Sequence, residues 1–100
     1  MNNTQQILNL LGLAQRAGRI ISGEELVVKA IQEGKAQLVF LASDAATNLK
    51  KKITDKGQYY KVNVTTVFST LELSAAIGKS RKVLAVTDAG FTKKMRSLME

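Results

Sequence analysis

Two aspartates stand where an α/β protein could hold a divalent cation. Asp44 follows the apolar run at 38–42, and Asp88 follows a second apolar run at 83–86. Carboxylates beyond the ends of central strands can bind Mg²⁺ for phosphoryl transfer. Aspartate is also a preferred helix N-cap, because its side chain accepts hydrogen bonds from free N–H groups of the first turn. We favour capping for both residues and keep phosphoryl transfer as the least favoured hypothesis.

The tripeptide Gly-Lys-Ser at 78–80 resembles the end of a phosphate-binding P-loop, whose backbone N–H groups cradle phosphates. That pattern needs another glycine five positions before Gly78, where this chain has Leu73. It also needs a preceding strand, whereas the residues before Gly78 have helical spacing. We therefore interpret Gly78 as the end of a helix that is followed by a basic loop.

Glu24 and Glu25 form the only adjacent acidic pair in the chain. They stand at a predicted helix start, where Glu25 would complete an S-x-x-E capping box with Ser22. A carboxylate among cations can also accept hydrogen bonds from the amino and imino groups of an RNA base. The two interpretations are compatible, because a cap geometry can also present the Gly23 backbone to RNA.

Charge narrows the choice of partner. Fifteen Lys and Arg residues against eight Asp and Glu give a net charge of +7, which favours a polyanion such as nucleic acid. The chain has neither Cys nor His, which excludes disulfides, thiolate nucleophiles, Cys/His zinc sites and imidazole catalysis. No apolar run exceeds five residues, and no charged-then-apolar leader opens the chain. We therefore expect a cytoplasmic protein with no membrane partner.

The densest basic run is Lys50–Lys52, followed by Lys56 and Lys61. Such a run is usually a solvated helix face, and direct contact with nucleic acid is the alternative. Tyr59 and Tyr60 lie within this region. A stacking platform for bases and the packing of an edge strand both suit them, and the low aromatic content favours packing.

Five predicted helices and three or four predicted strands must position these residues. Helical spacing predicts helices over 4–16, 22–33, 43–56 and 69–77 and a last one from 88; apolar runs predict strands at 38–42, 62–65 and 83–86. Ser22 and Ser69 each begin an S-x-x-E capping box, and Gly57 and Gly78 are predicted helix ends. Buried strands need helices on both faces, so the pattern predicts one α/β sandwich domain over 1–100.

Three segments resemble a known family. Residues 23–39 with 42–44, residues 71–78 and the opening residues 10–19 are similar to the kink-turn RNA-binding ribosomal protein superfamily of L7Ae, L30e and S12e, especially its small bacterial members. The resemblance implies a three-layer α/β/α sandwich with a four-stranded mixed sheet. It also implies binding of sharply bent RNA with tandem sheared G·A pairs. The start of the second helix and the loop after the fourth helix would contact that RNA.

Transferred to this chain, the resemblance implies a non-enzymatic protein that binds structured RNA, with ribosomal RNA one candidate. We expect a monomer that needs no cofactor. The alternative is a protein-interaction module on the same fold. Where the family has Gly-x-Asn-Glu, this chain has Glu25 and Leu26 at the last two positions, and Ser74 replaces a usual glycine. These departures predict an altered RNA preference. The resemblance places RNA contacts on residues 23–26, on Lys29 and on the 78–82 loop, and we add Lys35 as a phosphate contact. The predicted RNA-binding residues are Gly23, Glu24, Glu25, Lys29, Lys35, Lys79, Ser80, Arg81 and Lys82.

Overall fold

The computed structural model describes residues 3–99. These residues form five helices and four strands that alternate along the chain. In order they are α1 (Asn3–Arg16), β1 (Ile20–Ser22), α2 (Glu24–Gln32), β2 (Leu38–Leu41), α3 (Thr47–Tyr60), β3 (Asn63–Thr65), α4 (Thr70–Ile77), β4 (Val83–Val86) and α5 (Ala89–Met99).

The four strands form one mixed sheet in the order β1-β4-β2-β3. Strand β4 pairs antiparallel with β1 and with β2, and β2 pairs parallel with β3. Strands β1, β2 and β3 therefore end at the edge of the sheet where β4 begins. We call this edge the near edge and the opposite one the far edge. Helices α2, α3 and α4 all begin at the near edge, which gathers their first turns with the loop that leads into β4.

Helices cover both faces of the sheet, as the sequence predicted. Helix α1 packs against α4 and α5 on one face, and α2 packs against α3 on the other. Every residue of the central strands β2 and β4 is buried, because helices cover these strands on both faces. Phe40 of β2 stacks on Phe68 at a ring-centroid distance of 5.9 Å. The predicted three-layer α/β/α sandwich with a four-stranded mixed sheet is confirmed.

The predicted end of the third helix at Gly57 is wrong. Helix α3 continues to Tyr60, and Lys61 ends it with a left-handed φ of 59°. Gly57 is instead buried against β3, where an added Cβ would lie 2.6 Å from Cγ2 of Val64 and 3.0 Å from the Val62 carbonyl oxygen. The glycine is needed for close approach of helix and strand, which the local sequence does not distinguish from a helix stop.

Strand β1 is the one element that the periodicity did not resolve. Ile20 and Ile21 give too short an apolar run to predict a strand, but they pair with Val86 and Ala85 of β4. Because Ser22 belongs to this strand, its predicted capping box is also wrong. The N-cap of α2 is Gly23, and no side chain caps that helix. The second predicted box is confirmed, since Ser69 and Glu72 exchange both cap hydrogen bonds.

Within residues 3–99, no helix is long and apolar enough to cross a lipid bilayer.

Candidate nucleic-acid interface

The start of α2 is an exposed backbone tip held in an unusual conformation. Gly23 has φ 98° and ψ 148°, a region essentially restricted to glycine. Its N–H donates to the Val83 carbonyl oxygen at 3.1 Å, and its own carbonyl accepts from the Val27 N–H at 3.0 Å. Since no side chain caps α2, the N–H groups of its first turn have no capping partner at the near edge.

The loop between α4 and β4 lies beside this tip. Gly78 ends α4 with a left-handed φ of 80°, as predicted, and turns the chain towards β4. Ser74 then holds the loop from within the helix. Its Oγ accepts from the Arg81 N–H at 3.0 Å and donates to the Arg81 carbonyl oxygen at 3.2 Å. The Arg81 guanidinium also donates to the Ser80 carbonyl oxygen at 2.7 Å, which closes the loop on itself.

Arg81 joins the loop to the α2 tip. Its Nε donates to Ser22 Oγ at 3.2 Å, and a Cβ added to Gly23 would lie 4.0 Å from the same nitrogen. The side chain therefore spans the gap between two elements that are almost 60 residues apart in sequence. On either side of Arg81, the side chains of Lys79 and Lys82 are exposed. The near edge thus presents a helix tip flanked by cations.

The acidic residues of the tip have different surroundings. Glu24 Oε2 accepts from Lys52 Nζ of α3 at 2.7 Å, so the α3 lysine run begins directly beside the tip. Glu25 is exposed and makes no ion pair within residues 3–99. Leu26, the residue that departs most from the family pattern, is 60% exposed. Lys29 is exposed one turn further along α2. A carboxylate, an apolar side chain and a cation thus follow one another on the surface of α2.

Asp44 also belongs to the near edge, but it does not cap the helix that follows it. The N-cap of α3 is Ala46, which has no side-chain cap bond. Asp44 Oδ1 instead accepts from the Thr70 N–H at 2.9 Å and from its hydroxyl at 2.8 Å, so it fixes the start of α4. These two bonds, the backbone one first, lower the pKa of Asp44, and the nearby Lys82 cation acts in the same direction.

Asp44 and Asp88 cannot share one metal ion. The antiparallel pairing of β2 with β4 places the residue after β2 at the near edge and the residue after β4 at the far edge. Four residues of strand, about 13 Å, separate the two positions. Asp88 Oδ2 accepts from the Phe91 N–H at 2.8 Å, which confirms it as a cap of α5. The two-aspartate hypothesis fails because β2 and β4 run in opposite directions, so the residues that follow them lie at opposite edges of the sheet.

The structure gathers most of the predicted RNA-binding residues at the near edge, but it does not gather all of them. Lys35 follows the carboxyl end of α2, about 14 Å of helix from the tip, and pairs with Glu33 at 3.3 Å. The near edge carries Gly23, Glu24, Glu25, Lys79, Ser80, Arg81 and Lys82, with Lys29 beside it.

Sequence reasoning missed three residues that position this site. Ser22 and Ser74 hold Arg81, and Lys52 pairs with Glu24 across two helices. From the sequence, Ser22 is predicted to be a helix cap, and Ser74 stands out only as a departure from glycine. Neither local spacing nor composition indicates a contact between residues 28 or 59 positions apart. Such contacts follow from the strand order, which the pattern did not predict.

The fold and the site define a class of protein: a small basic α/β/α sandwich with a cation-flanked helix tip at one edge of its sheet. The family model described as "Ribosomal protein L7Ae/L30e/S12e/Gadd45 family" matches residues 5–96. This chain belongs to that family, as the resemblance indicated.

Two bacterial relatives match over most of their length. A protein of Enterococcus faecium named RNA-binding protein YlxQ is 49% identical over 98% of this chain and 95% of its own, and the Bacillus subtilis protein of that name is 51% identical over 91% and 92%. A solved Bacillus halodurans protein described as being of unknown function has 48% identity and a TM-score of 0.88 over 93% of this chain and 95% of its own. A 15.5kD RNA binding protein of Giardia lamblia shares the fold, with a TM-score of 0.80 at 20% identity over 96% and 89%.

Proposed function

We propose that this protein is a non-enzymatic RNA-binding protein whose near edge recognises sharply bent, kink-turn RNA, as part of the ribosome or bound to it in the cytoplasm. The observation that carries the proposal is the contact of Arg81 Nε with Ser22 Oγ at 3.2 Å. This contact makes the α2 tip and the α4–β4 loop one continuous surface. A bent RNA brings two backbones and a set of exposed base edges into a small volume, which suits such a surface.

The cations and the carboxylate of the near edge suit different parts of an RNA, the phosphates and the bases. Lys79 and Lys82 are exposed and make no ion pair within residues 3–99, so they are available to neutralise phosphates. The exposed carboxylate of Glu25 would repel a phosphate, but it can accept hydrogen bonds from the amino and imino groups of guanine. The tip therefore faces bases, and the flanking loop faces the backbone. The relatives named RNA-binding protein YlxQ support RNA as the polyanion.

Two charge-reversed variants test this arrangement. Lys79→Glu with Lys82→Glu changes the near edge, and the control Lys93→Glu with Lys94→Glu makes the same change in net charge on exposed residues of α5. Both leave Arg81 and its contacts in place. Affinity for RNA falls as salt rises, and we expect this fall to be less steep for the first variant. The slope of log affinity against log salt concentration should be smaller in magnitude by about 1.4 to 1.8, which corresponds to two lost phosphate contacts. The α5 variant is expected to change the slope much less.

The RNA comparison is a kink-turn against a straight duplex of matched length and composition, titrated at low and at physiological salt. We expect preference for the bent RNA to persist at the higher salt, because shape recognition is screened less than charge attraction. Equal affinity for both RNAs, or equal effects of the two charge-reversed variants, would contradict the proposal.

A protein-interaction module is the second candidate function, and one observation favours it. A groove between α1 and α4 is lined in part by Leu8, Leu13 and Leu71, and Leu13 and Leu71 are 50% and 79% exposed. Exposed apolar side chains along a groove are typical of protein contacts. Weak RNA binding by the wild-type protein with no preference for bent RNA would favour this candidate over the first.

A further inference from the structure

The last turn of α3 carries an exposed aromatic pair. Tyr59 is 78% exposed and Tyr60 is 38% exposed, so the predicted packing of an edge strand is wrong for both. Their rings meet edge to face, with centroids 4.8 Å apart and an interplanar angle of 72°. The Tyr59 ring thus contacts Tyr60 at one side, while most of its side chain remains exposed to solvent. An exposed ring is what a stacking contact with a base requires.

Cations precede Tyr59 on the same face of α3. Lys52, Lys56 and Tyr59 are spaced i, i+4 and i+7, so they lie in one row along the helix. Together with Asp55 and Tyr60 they line one shallow concavity of the surface. We call Lys52, Lys56 and Tyr59 the α3 stripe. A combination of cations with an exposed aromatic ring is typical of surfaces that bind single-stranded nucleic acid.

The α3 stripe begins at the candidate RNA interface. Lys52 Nζ lies 2.7 Å from Glu24 Oε2, and Glu24 is the first residue of α2. From Lys52 the stripe runs about 10 Å along α3 to Tyr59, away from the near edge. A strand that leaves the α2 tip therefore meets the stripe without a gap.

Two carboxylates face the stripe, and each has a cationic partner. Glu24 pairs with Lys52, and Asp55 Oδ2 accepts from Lys51 Nζ at 3.1 Å. Lys56 makes no ion pair within residues 3–99, and Lys50 adds a further charge at the start of the helix. The surface around the stripe therefore stays net positive. A net positive surface attracts a negatively charged phosphate backbone.

We propose that the α3 stripe is a second RNA contact, which binds an unpaired strand that leaves the element held at the near edge. Lys56, which has no ion-pair partner within residues 3–99, approaches its phosphates, and the Tyr59 ring stacks on an unpaired base. Lys52 joins the stripe to the α2 tip through its ion pair with Glu24. The proposal rests on the proposed function, because both surfaces are taken to bind the same RNA. It adds a ligand feature that the near edge alone does not require: a single-stranded tail next to the bent element.

The affinity test compares a blunt kink-turn RNA with the same RNA carrying a short unpaired adenosine tail on either strand. Wild-type protein is expected to bind one tailed RNA at least about fivefold tighter than the blunt one, since stacking on one base is worth this much or more. Tyr59→Ala should abolish the gain and leave the blunt affinity unchanged, whereas Tyr59→Phe should keep it. Lys56→Gln should reduce the gain, and the matched control Lys94→Gln should not.

Intrinsic fluorescence gives a second readout at this surface. Tyr59 and Tyr60 are the only tyrosines in the chain, and there is no tryptophan. After correction for absorption by RNA, we expect the tailed RNA to quench tyrosine emission more than the blunt RNA does. The reason is that stacking brings the tyrosine ring into direct contact with the base, which quenches its emission.

The outcomes separate the two proposals. If the blunt RNA is preferred over a duplex but the tail adds neither affinity nor quenching, the stripe proposal is overturned and the proposed function stands. A Tyr59→Ala variant that loses affinity equally for tailed and blunt RNA also overturns it. If wild-type protein shows no preference for the bent RNA at all, the proposed function itself fails.

Discussion

Replacing Gly23 by alanine tests whether the shape of the α2 tip is fixed by the fold. Alanine is strained at φ 98° and ψ 148°, at a cost of about 1–3 kcal/mol. The backbone cannot relax freely, because Gly23 bonds to Val83 on one side and to Val27 on the other. Steric collision is not the cause, since the new Cβ would lie 4.0 Å from the nearest atom, Arg81 Nε. The variant must therefore either keep the native backbone of the tip at a cost in stability or change the position of the tip.

Denaturant unfolding and RNA titration distinguish these responses, with Gly34→Ala as the matched control. Gly34 also has a positive φ, 74°, with open space around its Cα, but it lies at the other end of α2. Both variants should lose stability, Gly34→Ala by about 1–2 kcal/mol. Only Gly23→Ala should also lose affinity for bent RNA, by about fivefold or more, if the tip reads base edges. Unchanged RNA affinity together with lost stability would show that the tip does not contact RNA.

Two further predictions concern the framework that holds the site. Gly57→Ala should destabilise the protein by about 1–2 kcal/mol in urea unfolding, because the added methyl group collides with Val64 and this cost exceeds the gain in helix propensity. A variant that is more stable than wild type would contradict the close packing of α3 on β3. Hydrogen bonds from Thr70 hold the pKa of Asp44 below its ordinary value, so the ionised carboxylate stabilises the fold above about pH 4. This stabilisation is lost as the pH falls through the lowered pKa. The stability difference between wild type and Asp44→Asn should therefore shrink on acidification, and a difference that is constant from pH 7 to pH 2 would refute the role of Asp44.

Periodicity predicted the elements of this fold well where they bury a long apolar face. Strand β4 occupies the predicted residues 83–86, and strand β2 lacks only Ala42 of its predicted run. Both strands are covered on two faces, so their unbroken apolar runs carry a strong signal. Strand β1 has three half-buried residues and no such signal. Its antiparallel pairing with β4 is a long-range property, and it decides which residues meet at the near edge.

The candidate site was predictable only in part, because glycine and serine each have several structural uses. Gly57 and Gly78 look alike in sequence, yet the first allows a helix to approach a strand and the second ends a helix. Ser69 and Ser22 both begin an S-x-x-E pattern, yet only Ser69 is a cap. Ser22 is held in the sheet, where its hydroxyl faces Arg81. Tertiary pairing decides between these uses, and the local pattern does not contain it.

The departures from the family pattern acquire a physical meaning once they are placed in the structure. Ser74 replaces a glycine, but its hydroxyl holds both the N–H and the carbonyl of Arg81, so the loop keeps a defined shape. Leu26 replaces a carboxylate at the tip and leaves an apolar side chain 60% exposed. A leucine offers a base contact area but no hydrogen-bond acceptor, so it cannot distinguish one base edge from another. Under the proposed function, we therefore expect binding to depend more on the shape of the RNA and on Arg81 and its lysine neighbours than on the identity of the bases at the bend.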